Sequence, residues 1–477
     1  MSGGDACHRL SFISVFLLCM AFLLAAGCAA VGPDYERPQT AMPESWHTSL
    51  ENISNEDQAS ALTGWWASFD DPLLSDLIQR AVAANLELKT AMERLVQVRA
   101  EHTVTRSALF PQLDASGSAT RARSSGTTRT TYATGFDAGW EIDIFGGTRR
   151  AAQAAEADIE ASRAAVHDVL VSLAAEVALN YLELRTLQAR LDTTLENLSI
   201  QIETFSLARN RFDAGLDDEL ILEQARAAME NTRARIPDLR TAIAQARNRL
   251  AVLLGKQPGG LEEELEGRLP VPQAPAAIVL GVPADLLRRR PDIRQAEREL
   301  AAQTNRIGVA ESELYPKLVL SGSIGYEALS TDDLFTAGSR FWRYGPRISW
   351  PIFQAGAIRA NIKVKTSQQK QALLAYEAAV LAALEEVENA LMAYGQELDR
   401  RHSLETAADS SRQAAELAQN KYDAGLIDFT VLLDAQQTRL SYEDEMVQSR
   451  ASVSMNLVRL YKALGGGWTS LAGGEIE

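Results

Sequence analysis

Arg209 to Arg226 reads RNRFDAGLDDELILEQAR and Gln419 to Gln436 reads QNKYDAGLIDFTVLLDAQ, one pattern written twice, with D-A-G-L in register 210 positions apart. Each copy separates two long stretches rich in Ala and Leu, so each predicts a sharp turn between long helices. The glycine supplies the left-handed backbone that ends a helix, and the acidic residues after it suit the next helix start. Outward from the first copy, Leu170, Leu173, Val177, Tyr181, Leu184 and Leu187 recur at steps of three and four, and the pattern continues to Phe205. That is a coiled-coil seam on a helix predicted over 148–212, roughly 100 Å long at 1.5 Å per residue. Helices predicted over 219–254 and 285–311 together match its length. A second long helix over 355–421 is matched in the same way by 428–464 and 73–107. Each long helix therefore runs out to a D-A-G-L turn, and two stacked shorter helices bring the chain back.

At the other end the period changes to two. Residues 113–121, 132–144, 318–326 and 341–352 alternate polar with apolar, and Leu-Tyr-Pro-Lys-Leu318 repeats Leu-Phe-Pro-Gln-Leu113 at an offset of 205. RARSSGTTRTT reads as a polar loop between the first two strands, and Pro346 predicts a bulge or a later start in the last. Strands of about ten residues suit a tilted membrane crossing. Four such strands do not close a barrel, and open edges are forbidden in lipid, so the chain must pool strands with copies of itself. Two copies give eight strands and a filled interior; three give twelve and a lumen. Asp137, Glu141, Asp143, Arg343, Arg347 and Ser349 suit a wet face, and Trp140, Trp342, Tyr344 and Trp350 suit interfacial girdles.

Residues 1–27 read as an export signal, with an apolar run from Leu10 to Ala26 behind Arg9. Leu24-Ala25-Ala26-Gly27-Cys28 resembles a lipobox, with Ala25 where Leu is usual, so Cys28 is expected to carry diacylglyceryl and palmitoyl lipid. The other two cysteines, Cys7 and Cys19, fall within the signal, which leaves no thiol for a disulfide. Ala29 and Ala30 lack the Asp that retains lipoproteins at the inner membrane, so outer-membrane delivery is expected. Residues 28–72 form a lipidated tether, Pro-rich and extended near its start; 73–283 form the first repeat, closed by an equatorial segment at 255–283; 284–464 form the second; 465–477 are a tail. A net charge of −16 with pI near 5.0 opposes nucleic-acid binding. The five histidines show no ligand spacing, and no phosphate loop or H-E-x-x-H is present, so neither a metal cofactor nor an enzyme is expected.

Cys28-Ala-Ala-Val-Gly-Pro-Asp-Tyr35, Trp65-Trp66 through Phe69-Asp70-Asp71-Pro72, Leu286-Leu287-Arg288-Arg289-Arg290-Pro291-Asp292-Ile293, Ile307-Gly308-Val309-Ala310 and Tyr315-Pro316 resemble the TolC/OprM-type outer-membrane efflux lipoproteins, NodT-like proteins among them. The resemblance implies a mainly α fold with a small β part: a homotrimer whose twelve-stranded outer-membrane barrel continues as a periplasmic α-helical coiled-coil barrel. It implies two protein partners, a periplasmic adaptor and an inner-membrane RND-type pump. By position, Asp434 matches a carboxylate ring that constricts the periplasmic gate, and Thr430 lies one turn before it on the same face. Tyr422 and Arg439 match residues that help hold the closed state. In the first repeat Gln224 replaces the equivalent Asp, and Asp217-Asp218-Glu219 adds charge nearer the tip. Gly215-Leu216 and Gly425-Leu426 are expected docking edges for the adaptor, since a plain helix stop needs the Gly but not the Leu. Two other roles remain compatible with the sequence: a conduit for a secreted polypeptide, and a lipid-anchored periplasmic coiled-coil tether.

Overall fold

The computed structural model describes residues 30–39, 43–48, 53–54, 62–275, 278–279 and 289–471. Cys28, the signal segment, Leu286 to Arg288 and the end of the tail lie outside the described residues. The elements run α1 (Pro72–Ala84), α2 (Leu86–Ser107), β1 (Gln112–Ser124), β2 (Thr127–Ile142), α3 (Gly147–Asp213), α4 (Glu219–Leu253), α5 (Pro291–Ser312), β3 (Lys317–Ala328), β4 (Arg340–Ser349), α6 (Ala357–Asp423) and α7 (Phe429–Ala463). Two compact units interleave along the chain. One comprises Met1–Thr40, Glu93–Arg163 and Arg294–Ala378; the other comprises Ala41–Met92, Ala164–Ile293 and Ala379–Glu477.

The first unit holds an antiparallel sheet in the order β1-β2-β3-β4, with β1 and β4 as open edges. Ala115, Phe136, Ile324 and Trp342 pair in one row, so most large apolar residues of the four strands share a face; Asp114, Asp137, Ser323 and Arg343 form a row of the polar face. RARSSGTTRTT is not a loop: both strands continue through it to a turn at Ser125 (φ 53°) and Gly126 (φ 80°). Thr and Arg carry the strand there without apolar alternation, and Ser-Gly was the overlooked turn signal. Pro346 makes neither a bulge nor a late start: β4 keeps its register with β3 from Arg340 through Pro346 to Ser349. The two halves close their strand ends alike, with Trp140 Nε1 donating to the Leu109 carbonyl and Trp350 Nε1 to that of Leu314, both at 3.0 Å. Each indole thus covers the carbonyl just before Phe110-Pro111 or Tyr315-Pro316.

The N-terminal strap in this unit is extended and held. Arg150 donates to the Val31 and Gly32 carbonyls and to Asp34, and Tyr35 donates to Glu297 at 3.0 Å. A Cβ on Gly32 would come within 2.3 Å of the Gly308 Cα. That contact explains why Gly-Pro-Asp-Tyr and Ile-Gly-Val-Ala occur in one chain: the strap and α5 meet backbone to backbone.

In the second unit the seam on α3 is buried: Leu170, Val177, Tyr181 and Leu184 are wholly enclosed, at about 1.5–3 kcal/mol for each large side chain. Ile202 breaks from it and is 43 % exposed. The single helix expected over 73–107 is two, because Asn85 stops α1 and starts α2. Its side chain accepts from the Glu87 and Leu88 amides and donates to the Leu253 carbonyl at 3.0 Å, so a buried Asn caps in mid-stretch. The helix expected from residue 285 is described only from Pro291, which occupies its first position as proline prefers. Arg185 and Gln188 of α3 hold the equatorial segment through the Gly267 and Leu265 carbonyls.

Candidate functional site

Both D-A-G-L turns have the same backbone. Gly215 has φ 71° and Gly425 φ 72°. Leu216 N donates to Arg211 O and Gly215 N to Phe212 O, and Leu426 and Gly425 repeat those bonds to Lys421 and Tyr422, all at 2.8 Å. This is the paired closure that satisfies the last carbonyls of a helix. The leucine that follows the glycine in such a closure commonly packs back on its own helix. Here Leu216 is 69 % and Leu426 72 % exposed. The next helices start differently: Asp218 accepts from Ile221 N at 3.1 Å, whereas the Asp428 side chain makes no cap bond.

A shared core joins the turns. Ala208 and Ala225 pack with Ala418, Tyr422, Phe429 and Leu432. Tyr422 lies edge-on to Phe429 at 5.6 Å. Its hydroxyl donates to Asp217 Oδ2 at 3.1 Å, and Arg211 grips the same carboxylate from Nε at 2.8 Å and Nη2 at 3.2 Å. The Arg211 guanidinium also stands over the Tyr422 ring at 5.3 Å. Asp217 is half-buried, and its Arg211 bonds hold its carboxyl below the usual carboxylate range. Burial and the Asp217 charge push the Tyr422 phenol up to about 12. The second repeat thus closes on the first through Tyr422, Asp217 and Arg211. In an ultraviolet titration Tyr422 and Tyr181 should both ionise near 12, against about 10 for an ordinary phenol, and Tyr422→Phe should reduce that component by one tyrosine.

The other expected gate residues divide into two places. Asp434 and Thr430 lie exposed on one face of α7, and Asp434 has no ion pair or hydrogen bond among the described residues. Arg439 is elsewhere: it is half-buried, donating to Glu443 at 2.9 Å and lying 3.6 Å from Glu196. Glu443 is buried and also receives Arg412 and Asn197, so Arg439 belongs to a network tying α3, α6 and α7 together, apart from the Asp217 contact. Arg211 and Asp217 were not read as site residues from sequence. Asp217 falls opposite Ile427 in the repeat, and that mismatch was the available signal.

The family described as outer membrane efflux protein matches residues 77–256 and 282–466, one stretch in each repeat. The solvent efflux pump outer membrane protein SrpC of Pseudomonas putida is 33 % identical over 94 % of this chain and 97 % of its own length. Nodulation protein T of Rhizobium leguminosarum bv. trifolii is 30 % identical, again over 94 % and 97 %. Among solved structures, the outer-membrane channel OprN superposes with TM-score 0.87 at 36 % identity, covering 92 % of this chain and all of that one. The open state of the MtrE outer membrane channel of Neisseria gonorrhoeae superposes with TM-score 0.84 at 30 % identity, covering 93 % and 99 %. With its duplicated helical turns, its four-stranded sheet and these similarities, the chain belongs to the outer membrane efflux protein family, which comprises outer-membrane channels and not enzymes.

Proposed function

We propose that three copies of this chain form the outer-membrane channel of a tripartite efflux pump. The carrying observation is the four-stranded sheet with two open edges and one apolar face. Only closure with further copies satisfies those edges in lipid, and twelve strands leave a lumen where eight would not. Leu381, Met392 and Leu417 support the same reading: at 100° per residue they share one face of α6, and each is more than half exposed, as on a helix awaiting a neighbour. The helices then continue the lumen through the periplasm to the D-A-G-L tips. A periplasmic adaptor docks there, on Leu216 and Leu426, and an inner-membrane RND-type pump delivers small molecules from below. Lipid on Cys28 anchors the strap from the periplasmic side. SrpC is named for solvent efflux; for this chain the choice of cargo is assigned to the pump.

In the trimer the three Asp434 carboxylates meet at the tip of the lumen, and with no ion pair among the described residues their charge is left to the pore. A planar-bilayer recording tests the channel and this ring together. The purified protein is expected to conduct with cation preference, and Asp434→Ala to lower the cation-to-anion permeability ratio several-fold. A trimer that never conducts, with or without Asp434, would remove the channel reading. For the tips, Leu216→Asp with Leu426→Asp is expected to cut adaptor co-purification about tenfold, the cost of placing charge in a small apolar contact. Undiminished co-purification would place docking elsewhere.

The Asp217 contact sets a pH window for the closed tip. Its carboxyl is depressed in the fold, so its stabilisation is complete above the unfolded value near 4 and is lost as pH falls through the folded value. Tyr422 is raised, so its contribution is complete below about 10 and is lost as pH rises toward about 12. Resting conductance is therefore expected to be flat from about pH 5 to 9 and to rise below about pH 4. A rise near neutrality would assign closure to other groups.

A further inference from the structure

The apolar face of the sheet carries an unexplained pattern of charge at its hairpin end. Pairing places Gly117, Thr134, Tyr326 and Arg340 in one row of that face, directly beyond the row of Ala115, Phe136, Ile324 and Trp342. Those two rows border a groove of about 700 Å³. Gly117 opens it, since nothing lies within 4 Å of where its Cβ would stand. Phe335, from the loop between β3 and β4, meets Tyr326 edge-on at 5.6 Å and caps the groove. Two and three rows farther along β1, on the same face, stand Arg121 and Arg123.

All three arginines are exposed, and none has an ion pair or hydrogen bond among the described residues. The polar face behaves differently. There acids and bases are mixed, Asp114, Asp137, Glu141 and Glu327 standing among Arg129, Lys317, Arg343 and Arg347, and Arg343 lies 3.6 Å from Glu327. The apolar face beyond Phe136 bears Ala119, Thr128, Thr130, Tyr132 and the three arginines, with no acid. Asp332 and Asp333 lie in the capping loop and pair with none of the three. Arg121 and Arg123 sit on one open edge and Arg340 on the other, so closure with further copies brings both edges' arginines to a common seam.

We propose that this surface binds a phosphorylated lipid of the outer leaflet, with acyl chain in the groove and phosphate on Arg121, Arg123 and Arg340. The proposal rests on the reading of the sheet as part of a membrane barrel, whose apolar face meets lipid. A lipid is the occupant because the apolar groove and the uncompensated cations are continuous and both face the bilayer. A soluble anion would use only the arginines, and a plain hydrocarbon chain only the groove. Tyr132 stands between the groove and the β1 arginines, and Tyr326 and Trp342 line the groove itself, amphipathic rings of the kind that prefer the membrane interface.

The test uses the purified full chain in detergent and diphosphorylated lipid A as the probe, with retention read by native mass spectrometry. Arg121→Gln/Arg123→Gln/Arg340→Gln is expected to weaken retention at least tenfold, and Phe335→Ala, on an exposed loop, several-fold. Equal retention by the triple variant, equal retention of dephosphorylated lipid A, or full displacement by inorganic phosphate would each overturn the proposal. Bilayer conductance of the same preparations separates the possible failures. A wild type that never conducts sinks the channel reading, whereas conducting proteins that retain the lipid equally sink this inference alone. If the triple variant does not conduct, Arg340→Gln and Phe335→Ala carry the same comparison.

Discussion

Asp217→Ala is expected to raise the resting conductance of the channel by at least tenfold. The substitution removes three contacts at once: two bonds from Arg211 and one from the Tyr422 hydroxyl. It also leaves Arg211 beside an aromatic ring without its hydrogen-bonded counter-charge, with only the more distant Asp423 to answer it. Arg211 keeps 30 % of its side chain in solvent, so water compensates part of the loss. One charged and one neutral hydrogen bond then amount to about 1.5–3 kcal/mol, or about 10- to 100-fold in the ratio of open to closed tips. Tyr422→Phe removes only the neutral bond and keeps the packing against Phe429, so about fivefold is expected from it. The two substitutions share one carboxylate, and their combination should add little to Asp217→Ala alone. Additive effects in single-channel recordings would mean that Tyr422 and Asp217 act through different partners.

How legible these features were depended on whether they repeat. D-A-G-L recurs, and both turns were read from sequence to the residue, because a glycine with positive φ tolerates little else. Asp434 was picked out for a different reason, by position through the family resemblance, and it is exposed on α7 with no ion pair among the described residues. The Asp217 contact was not legible, because it joins residues about 200 positions apart and has no counterpart in the second repeat. The partners of Arg439 were equally hidden, because Glu196 and Arg412 reach its network from α3 and α6. The long β1–β2 hairpin was missed where Thr and Arg, residues that serve equally in loops, carry both faces of the strand. What remained hidden was non-local pairing and strand without apolar alternation.

Arg290→Ala is expected to destabilise the fold as much as the loss of a large core side chain, and the repeat explains why. At the offset of 205, Arg290 takes the position of Asn85. Asn85 donates to the Leu253 carbonyl at the end of α4; Arg290 donates to the Ala463 carbonyl at the equivalent end of α7. Each side chain thus seals a return helix just before a left-handed glycine, Gly255 or Gly465. Arg290 does more than its counterpart, gripping Asp292 with two nitrogens at 3.1 and 2.8 Å and reaching Glu386 of α6 at 2.8 Å. Its side chain is 10 % exposed, while Asp292 and Glu386 keep 35 % and 44 %. Removing the cation therefore leaves one helix-end carbonyl short of a donor and two carboxylates only partly rescued by water. About 3 kcal/mol is expected, the lower end for breaking a buried pair. Arg290→Lys keeps the charge but not the fork, and should recover less than half of the loss. Thermal unfolding of the purified protein reads both variants. If Arg290→Ala melts with the wild type, the seal is dispensable, and Leu-Leu-Arg-Arg-Arg-Pro-Asp-Ile would need an explanation other than the junction of α5, α6 and α7.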